Sequence, residues 1–287
     1  VNNLAVNSLD PFPETSQSGC KPFIKWAGGK QQILSHLRAK LPKSFNRYFE
    51  PFLGGGALFF DLSPKSAVLV DQNEELINTY LVVRDQPQLL LEDLSRHVYN
   101  KEYFYQVRDA DRQSDYLEWS PVQRASRFIF LNKTCFNGLY RVNSKGQFNV
   151  PFGSYTMPKI ADGKNILACS KALQGVDLIK GNFSSVADLA KRGDFIYLDP
   201  PYIPRTQSSS FTSYTSDKFS NDDHLALKRF CAELDSNGVY FMLSNSYTTL
   251  ALDLYKKFEI SEVEASRAIN SAASKRGKIK ELIVTNY

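Results

Sequence analysis

Asp194-Phe195-Ile196-Tyr197-Leu198-Asp199-Pro200-Pro201-Tyr202 is the stretch on which the reading of this chain turns. Phe195 to Leu198 is a short aromatic and apolar run that fits a buried strand, and two prolines, unable to donate to a sheet ladder, end it. An acid, two rigid rings and an aromatic side chain therefore stand at a strand's carboxyl end, where ligands bind in an open α/β sheet. Asp199 is suited to accept one N–H of a planar amine, and the carbonyl of Pro200 to accept the other. Tyr202 offers a flat face for a base, a contact worth roughly 1–3 kcal/mol. Taken alone, the tetrapeptide fits a clamp for an exocyclic amine no better than a plain turn in which Asp199 caps a helix and Tyr202 packs. Its companions decide.

Upstream, Tyr48 to Phe52 reads as a strand running into Leu53-Gly54-Gly55-Gly56, a tight turn that opens a helix. Strand, glycine turn and helix form the first half of a mononucleotide-binding unit. Phe59 stands where a dinucleotide fingerprint needs its third glycine, which disfavours a nicotinamide cofactor. Ala67 to Asp71 is a second strand ending in an acid, suited to the hydroxyls of an adenosyl ribose. Glu74 and Glu75 read as first-turn charges of the helix that follows. Further upstream, Lys25-Trp26-Ala27-Gly28-Gly29-Lys30 precedes an amphipathic pattern (Ile33, Leu34, Leu37, Leu41) ending at Pro42, so Gly28-Gly29 is expected to open a helix. A phosphate-loop reading of Lys30 fails, because Ile24 and Gln31 occupy the positions that need Gly and Ser or Thr.

Downstream, Val176 to Phe183, Val239 to Ser244, Phe258 to Ala265 and Ile279 to Tyr287 supply further strands. The fold class expected is α/β, a doubly wound sheet with an insertion. Residues 1–20 read as a polar tail, and residues 21–80 and 175–287 as the α/β domain. The stretch 81–174 breaks the alternation, with helices over Gln88 to Tyr99 and Pro121 to Lys133 and then a looped ribbon from Cys135 to Gly153. Arg205 to Thr215 reads as a lid, and Arg267 to Lys280 as a basic loop.

The net charge is only +5, but between Pro121 and Gln174 eight basic residues face the single acid Asp162. Such clustering points to a polyanion, nucleic acid first. Arg141, Asn137 and Lys145 are expected to project from the ribbon, where arginine suits guanine O6/N7 and asparagine or lysine suits bases or phosphates. The four cysteines form no CxxC pair and the three histidines are scattered, so neither a metal nor a disulfide framework is expected. No apolar run reaches membrane-span length and no signal-peptide pattern is present, so the expected location is cytoplasmic.

In this order, these motifs resemble the Dam-type DNA adenine-N6 methyltransferases of the alpha group, most closely the DpnM-like branch that modifies GATC. The matching blocks are Lys25 to Lys30, Phe52 to Gly56, Asp71 and Asp199-Pro200-Pro201-Tyr202, and the resemblance spans roughly residues 21 to 287. It implies S-adenosylmethionine as methyl donor, contacted by Trp26, Ala27, Gly28, Lys30, Phe52, Gly54, Gly56, Asp71 and Asp199. It implies that 81–174 is a target-recognition insertion gripping double-stranded DNA. Lys25, Asn137, Leu139, Arg141 and Pro151 then lie at the DNA, Lys145 joins them on charge, and Tyr202 stacks on a flipped adenine. Asp199, Pro200, Pro201 and Tyr202 become the catalytic set, with a cognate restriction endonuclease as a functional partner to look for. None of the four cysteines follows a proline, against a cytosine-C5 enzyme; a cytosine-N4 enzyme, RNA or protein amide methylation and a catalytically idle DNA-binding module are the remaining alternatives.

Overall fold

The computed structural model describes residues 19–204, 219–266 and 278–287. The tail through residue 18, the expected lid and most of the Arg267 to Lys280 loop lie outside the described residues.

Seven strands form one sheet in the order β3-β2-β1-β4-β5-β7-β6. They are β1 (Tyr48–Glu50), β2 (Ala67–Asp71), β3 (Asp177–Lys180), β4 (Phe195–Leu198), β5 (Tyr240–Ser246), β6 (Glu259–Ser266) and β7 (Lys278–Thr285). Strands β1 to β5 run parallel, whereas β7 enters antiparallel between β5 and β6. This is a doubly wound sheet, as the sequence suggests. From β1 the chain steps outward through β2 and β3 and returns to β4 on the other side of β1. That reversal opens a crevice beyond the carboxyl ends of β1 and β4, the switch point where doubly wound sheets bind ligands.

Period-two alternation explains how both faces are filled. Tyr48, Leu69, Phe195, Tyr197, Met242 and Ile283 enter one buried cluster, while Phe49, Val68, Val70, Ile196, Leu198, Phe241, Leu243 and Val284 enter the other. Helices α8 (Asn221–Ser236) and α9 (Thr249–Tyr255) cover the second face through Leu227, Phe230, Leu234 and Leu254. The first face is covered from α3 (Glu74–Asp85), α4 (Pro87–Leu94), α6 (Pro121–Thr134) and α7 (Gly163–Ala172), which supply Leu76, Tyr80, Leu90, Phe128, Ile129 and Ile166. Helices of the 81–174 stretch thus share the main core. A smaller cluster, Phe104 and Val107 of α5 (Lys101–Asp109) with Phe130, Leu131, Cys135, Phe148 and Val150, lies under the ribbon.

Helix boundaries follow cap chemistry. Ser120 and Gln123 close a capping box ahead of Pro121, and Asn73 accepts the Leu76 N–H to start α3. Two expectations need correction. Gly28-Gly29 does not open a helix: Gly28 is left-handed at φ +81, and α1 (Leu34–Ala39) begins only beyond a further turn. The expected Gln88 to Tyr99 helix stops at Leu94. Among the described residues, no helix is long and apolar enough to cross a membrane.

Candidate active site

Beyond β4, Asp199 meets Lys30: Nζ lies 2.8 Å from Oδ2, with the side chains 7% and 19% exposed. The lysine ammonium also lies 4.6 Å from the centroid of the Tyr202 ring. The Gly28-Gly29 turn therefore serves to bring Lys30 back into the crevice rather than to start a helix. Burial pushes the Asp199 carboxyl up, and Lys30 opposes that shift. The other oxygen of Asp199, Oδ1, is buried with no hydrogen-bond partner. Such an oxygen normally finds a donor, so an N–H fits it. Pro200 is buried and Pro201 exposed, and the Ile203 N–H donates to Asn245 Oδ1 at 3.0 Å. The Tyr202 hydroxyl donates to Glu281 Oε2 at 2.9 Å.

The glycine turn after β1 is built against Trp26. Gly54 has φ +47, and a Cβ there would stand 2.5 Å from Trp26 Cδ1. Gly56 is left-handed at φ +62 as the residue preceding α2 (Ala57–Leu62). Asp71, at the end of β2, braces this turn: its carboxylate accepts the N–H of Gly54 and that of Asn73, each at 2.9 Å. Each carboxylate oxygen retains capacity for a further donor such as a sugar hydroxyl. Phe52 stacks on Phe183 at 5.6 Å, so one aromatic wall is already paired with a residue from the β3–β4 connection. Ala27 and Gly28 lie exposed in the turn that follows Trp26. Glu50, in β1, is buried and accepts the Tyr48 hydroxyl at 2.7 Å. Burial above all lifts its carboxyl to about 8, the hydrogen bond from Tyr48 opposing and the Asp199 charge reinforcing. Glu50 therefore holds its proton to higher pH than a free carboxyl, which lessens its repulsion of Asp199.

The ribbon adjoins this site through consecutive residues. Trp26 stacks on Tyr140 at 5.6 Å. Next to it, the Lys25 backbone is held from both sides by Asn132 of α6, its N–H donating to Oδ1 and its carbonyl accepting from Nδ2, both at 2.8 Å. The same Nδ2 reaches the Gly138 carbonyl at 3.0 Å. Asn137 is exposed and left-handed at φ 56, Leu139 is half-buried, and Pro151 is exposed with its carbonyl accepting the Phe136 N–H. Arg141 is exposed and steadied by Asn149, Nε to Oδ1 at 2.7 Å. Lys145 sits exposed in the turn at the ribbon's tip.

The basic stretch is less free than its charge suggests. Arg124 pairs with Glu75, and buried Arg127 pairs with Asp111 at 2.7 Å. Both fasten α6, so Glu75, which stands in the first turn of α3 as expected, also makes a tertiary tie. Sequence reasoning also missed Glu281, Asn245 and Asn132, single polar residues within strands or a helix that carry no motif. Of the scattered histidines, His97 is structural: it stacks on Phe130 at 4.4 Å, and burial lowers it to about 4. Among the described residues, no His, Cys, Asp and Glu group could hold a metal ion.

Comparison with known proteins places these features in context. The family model of D12 class N6 adenine-specific DNA methyltransferases matches residues 26–269. A Type II methyltransferase of Lactococcus lactis subsp. cremoris, M1.LlaDCHI, is 48% identical, covering 93% of this chain and 95% of the relative. A Type II methyltransferase of Methanocaldococcus jannaschii, M.MjaIII, is 44% identical over 93% of this chain and 99% of its own length. A DNA adenine methylase of Vibrio cholerae serotype O1 is 32% identical over 92% and 95% respectively.

Proposed function

This chain belongs to the D12 class N6 adenine-specific DNA methyltransferase family, and from that membership we propose that it moves a methyl group from S-adenosylmethionine to N6 of an adenine extruded from duplex DNA at GATC. The observation that carries the reading is the buried, unpartnered Oδ1 of Asp199 beside Lys30 and the face of Tyr202. A stacked, paired adenine cannot bring its amine to a crevice at the end of a sheet, so the base has to leave the helix at a cost of a few kcal/mol. Asp199 Oδ1 and the Pro200 carbonyl take the two N–H groups, and Tyr202 recovers part of the lost stacking. Lys30 holds the other oxygen of Asp199 and favours its acceptor-only carboxylate form.

Trp26, Gly54 and Asp71 fit the methyl donor, since the glycine turn lies against the indole and Asp71 keeps acceptor capacity at the strand end. Bound S-adenosylmethionine supplies an electrophilic sulfonium methyl. The chain supplies position and a polarised amine, and no covalent enzyme intermediate is needed. In this reading residues 21–80 and 175–287 carry the chemistry and 81–174 grips the duplex, acting in the cytoplasm. Asn137, Leu139, Arg141 and Pro151 share one ribbon, and an arginine bidentate to guanine contributes roughly 1–3 kcal/mol of discrimination. Relatives named DNA adenine methylase support the adenine target.

The test is DNA from an expressing, otherwise methylation-free host, digested with one nuclease blocked by adenine methylation in GATC and another that requires it. Resistance to the first and cutting by the second is expected. The reverse pattern, with folded protein that binds S-adenosylmethionine, refutes GATC.

A further inference from the structure

We propose that Glu281 is a positioning residue for Tyr202: its carboxylate aims the ring on which the extruded base stacks. The proposal rests on the stacking role given to Tyr202 above and adds what holds the ring ready. The backbone before the ring is stiff, because Pro200 and Pro201 fix their own φ and restrict the residues before them. The backbone after it is pinned by the 3.0 Å bond from the Ile203 N–H to Asn245 Oδ1, on β5. What remains free is the side chain itself. Its hydroxyl donates to Glu281 Oε2 at 2.9 Å, and Glu281 is carried by β7, paired with Ser246 of β5. Both anchors thus come from one antiparallel pair in the sheet, next to β4.

The geometry divides the work. A tyrosine oxygen lies on the axis about which its ring turns, so a bond at the oxygen fixes where that axis points but not the rotation about it. Rotation is restrained by Lys30, whose ammonium lies 4.6 Å over the ring face. Glu281 therefore directs the ring and Lys30 orients its face. Without Glu281 the ring swings on χ1 and must be ordered anew for each base that enters.

The experiment is a double-mutant cycle of Glu281→Ala and Tyr202→Phe on the full chain, read as kcat, KM for duplex DNA, S-adenosylmethionine affinity and the fluorescence of 2-aminopurine at the target. Each single variant is expected to lower kcat roughly tenfold, the loss of one charge-assisted hydrogen bond. Cofactor affinity should hold within a few-fold, the 2-aminopurine signal should be altered, and the double variant should be no worse than either single one. Glu281→Gln, whose amide oxygen still accepts the hydroxyl, should restore kcat to within a few-fold. Multiplying effects in the double variant overturn the proposal, as does a Tyr202→Phe enzyme that turns over like the parent, a result that stands even if Glu281→Ala fails to fold. Tyr202→Ala separates the two layers. If it too leaves turnover and 2-aminopurine signal intact, the stacking role itself is wrong; if it impairs both while Tyr202→Phe does not, only the role of Glu281 falls.

Discussion

The crevice beyond β1 and β4 and the ribbon from Cys135 to Gly153 are neighbours built on opposite principles. In the crevice, parallel ladders, prolines and a buried ion pair set the side chains, so Asp199 and Tyr202 have little freedom. The ribbon has no extended ladder: two isolated bridges, Cys135–Phe152 and Val142–Phe148, and a few turn bonds shape it. It rests on its own small apolar cluster and on side-chain ties from neighbouring segments, among them Asn132, which ties Lys25 to Gly138, and Asp111, which accepts the Phe148 N–H. On the proposed reading, chemistry that must position one amine is placed on the rigid element, while a surface that reads a sequence is placed where loops can change without disturbing the sheet. The two meet at Lys25 and Trp26, one under the ribbon and one against the glycine turn.

The sharpest break in this comparison is Asp199→Ala. Methyl transfer should fall by about a hundred- to a thousandfold, as when a preorganised polar partner is removed from a reacting group. Affinity for duplex should stay within a few-fold, because Arg141 and Lys145 stand on the ribbon. Lys30 would be left as a buried unpaired charge, so a loss of up to about 3 kcal/mol in stability is also expected. Single-turnover kinetics beside a binding titration decide the matter, and turnover within tenfold of the parent would remove Asp199 from the clamp.

A second measurement sharpens the rigid side. Glu50 is held near 8 in the folded protein, above its value in the unfolded chain, so the folded state keeps a proton that the unfolded state releases. The resulting stability is full below about pH 4 and is lost progressively as pH rises toward 8. Glu50→Gln, which keeps an acceptor for Tyr48, should match the parent at pH 4 and exceed it increasingly up to pH 8, by at most ~4 kcal/mol at pH 7. Denaturant melts across that range test it. A stability difference that does not depend on pH would mean that Glu50 is ionised in the fold.

How much of this was legible in the sequence follows from the same contrast. Strand order was not readable, but the strands were, because Phe195 to Leu198 and Ala67 to Val70 are buried on both faces and their composition has to show it. Asp199, Tyr202, Gly54 and Asp71 were legible because glycine and proline mark unusual backbone beside them. Glu281 was not: one acid in a strand looks like an exposed position, and its partner is 79 residues away. Asn132 looks like a solvated mid-helix residue until the chain at Lys25 arrives from 107 residues away. The basic face carries less free charge than residues 121–174 imply for a related reason, since Asp111 and Glu75, which bind Arg127 and Arg124, lie outside that stretch. The Gly28-Gly29 turn was mistaken for a helix start because the pattern from Ile33 is helical, whereas Lys30 is drawn into the crevice and delays the first helical turn.

Gly138→Ala tests the loose side, with the smallest effect on stability. Gly138 is left-handed at φ +64, and a Cβ there would lie 2.8 Å from Lys25 Cβ and 3.2 Å from the Asn132 carbonyl oxygen. The left-handed backbone costs an alanine roughly 1–2 kcal/mol, and because the position of Lys25 Cβ is set by its backbone, the peptide at Gly138 or at Lys25 must also move. The sheet shares none of this, so S-adenosylmethionine affinity should remain at the parental value. Discrimination between GATC and a site altered at one base pair should fall several-fold, because Asn137, Leu139 and Arg141 hang from the peptide that moves. If selectivity and turnover fell together with cofactor affinity, the seat at Asn132 would belong to the rigid half, and the division drawn between crevice and ribbon would fail at the residues where the two meet.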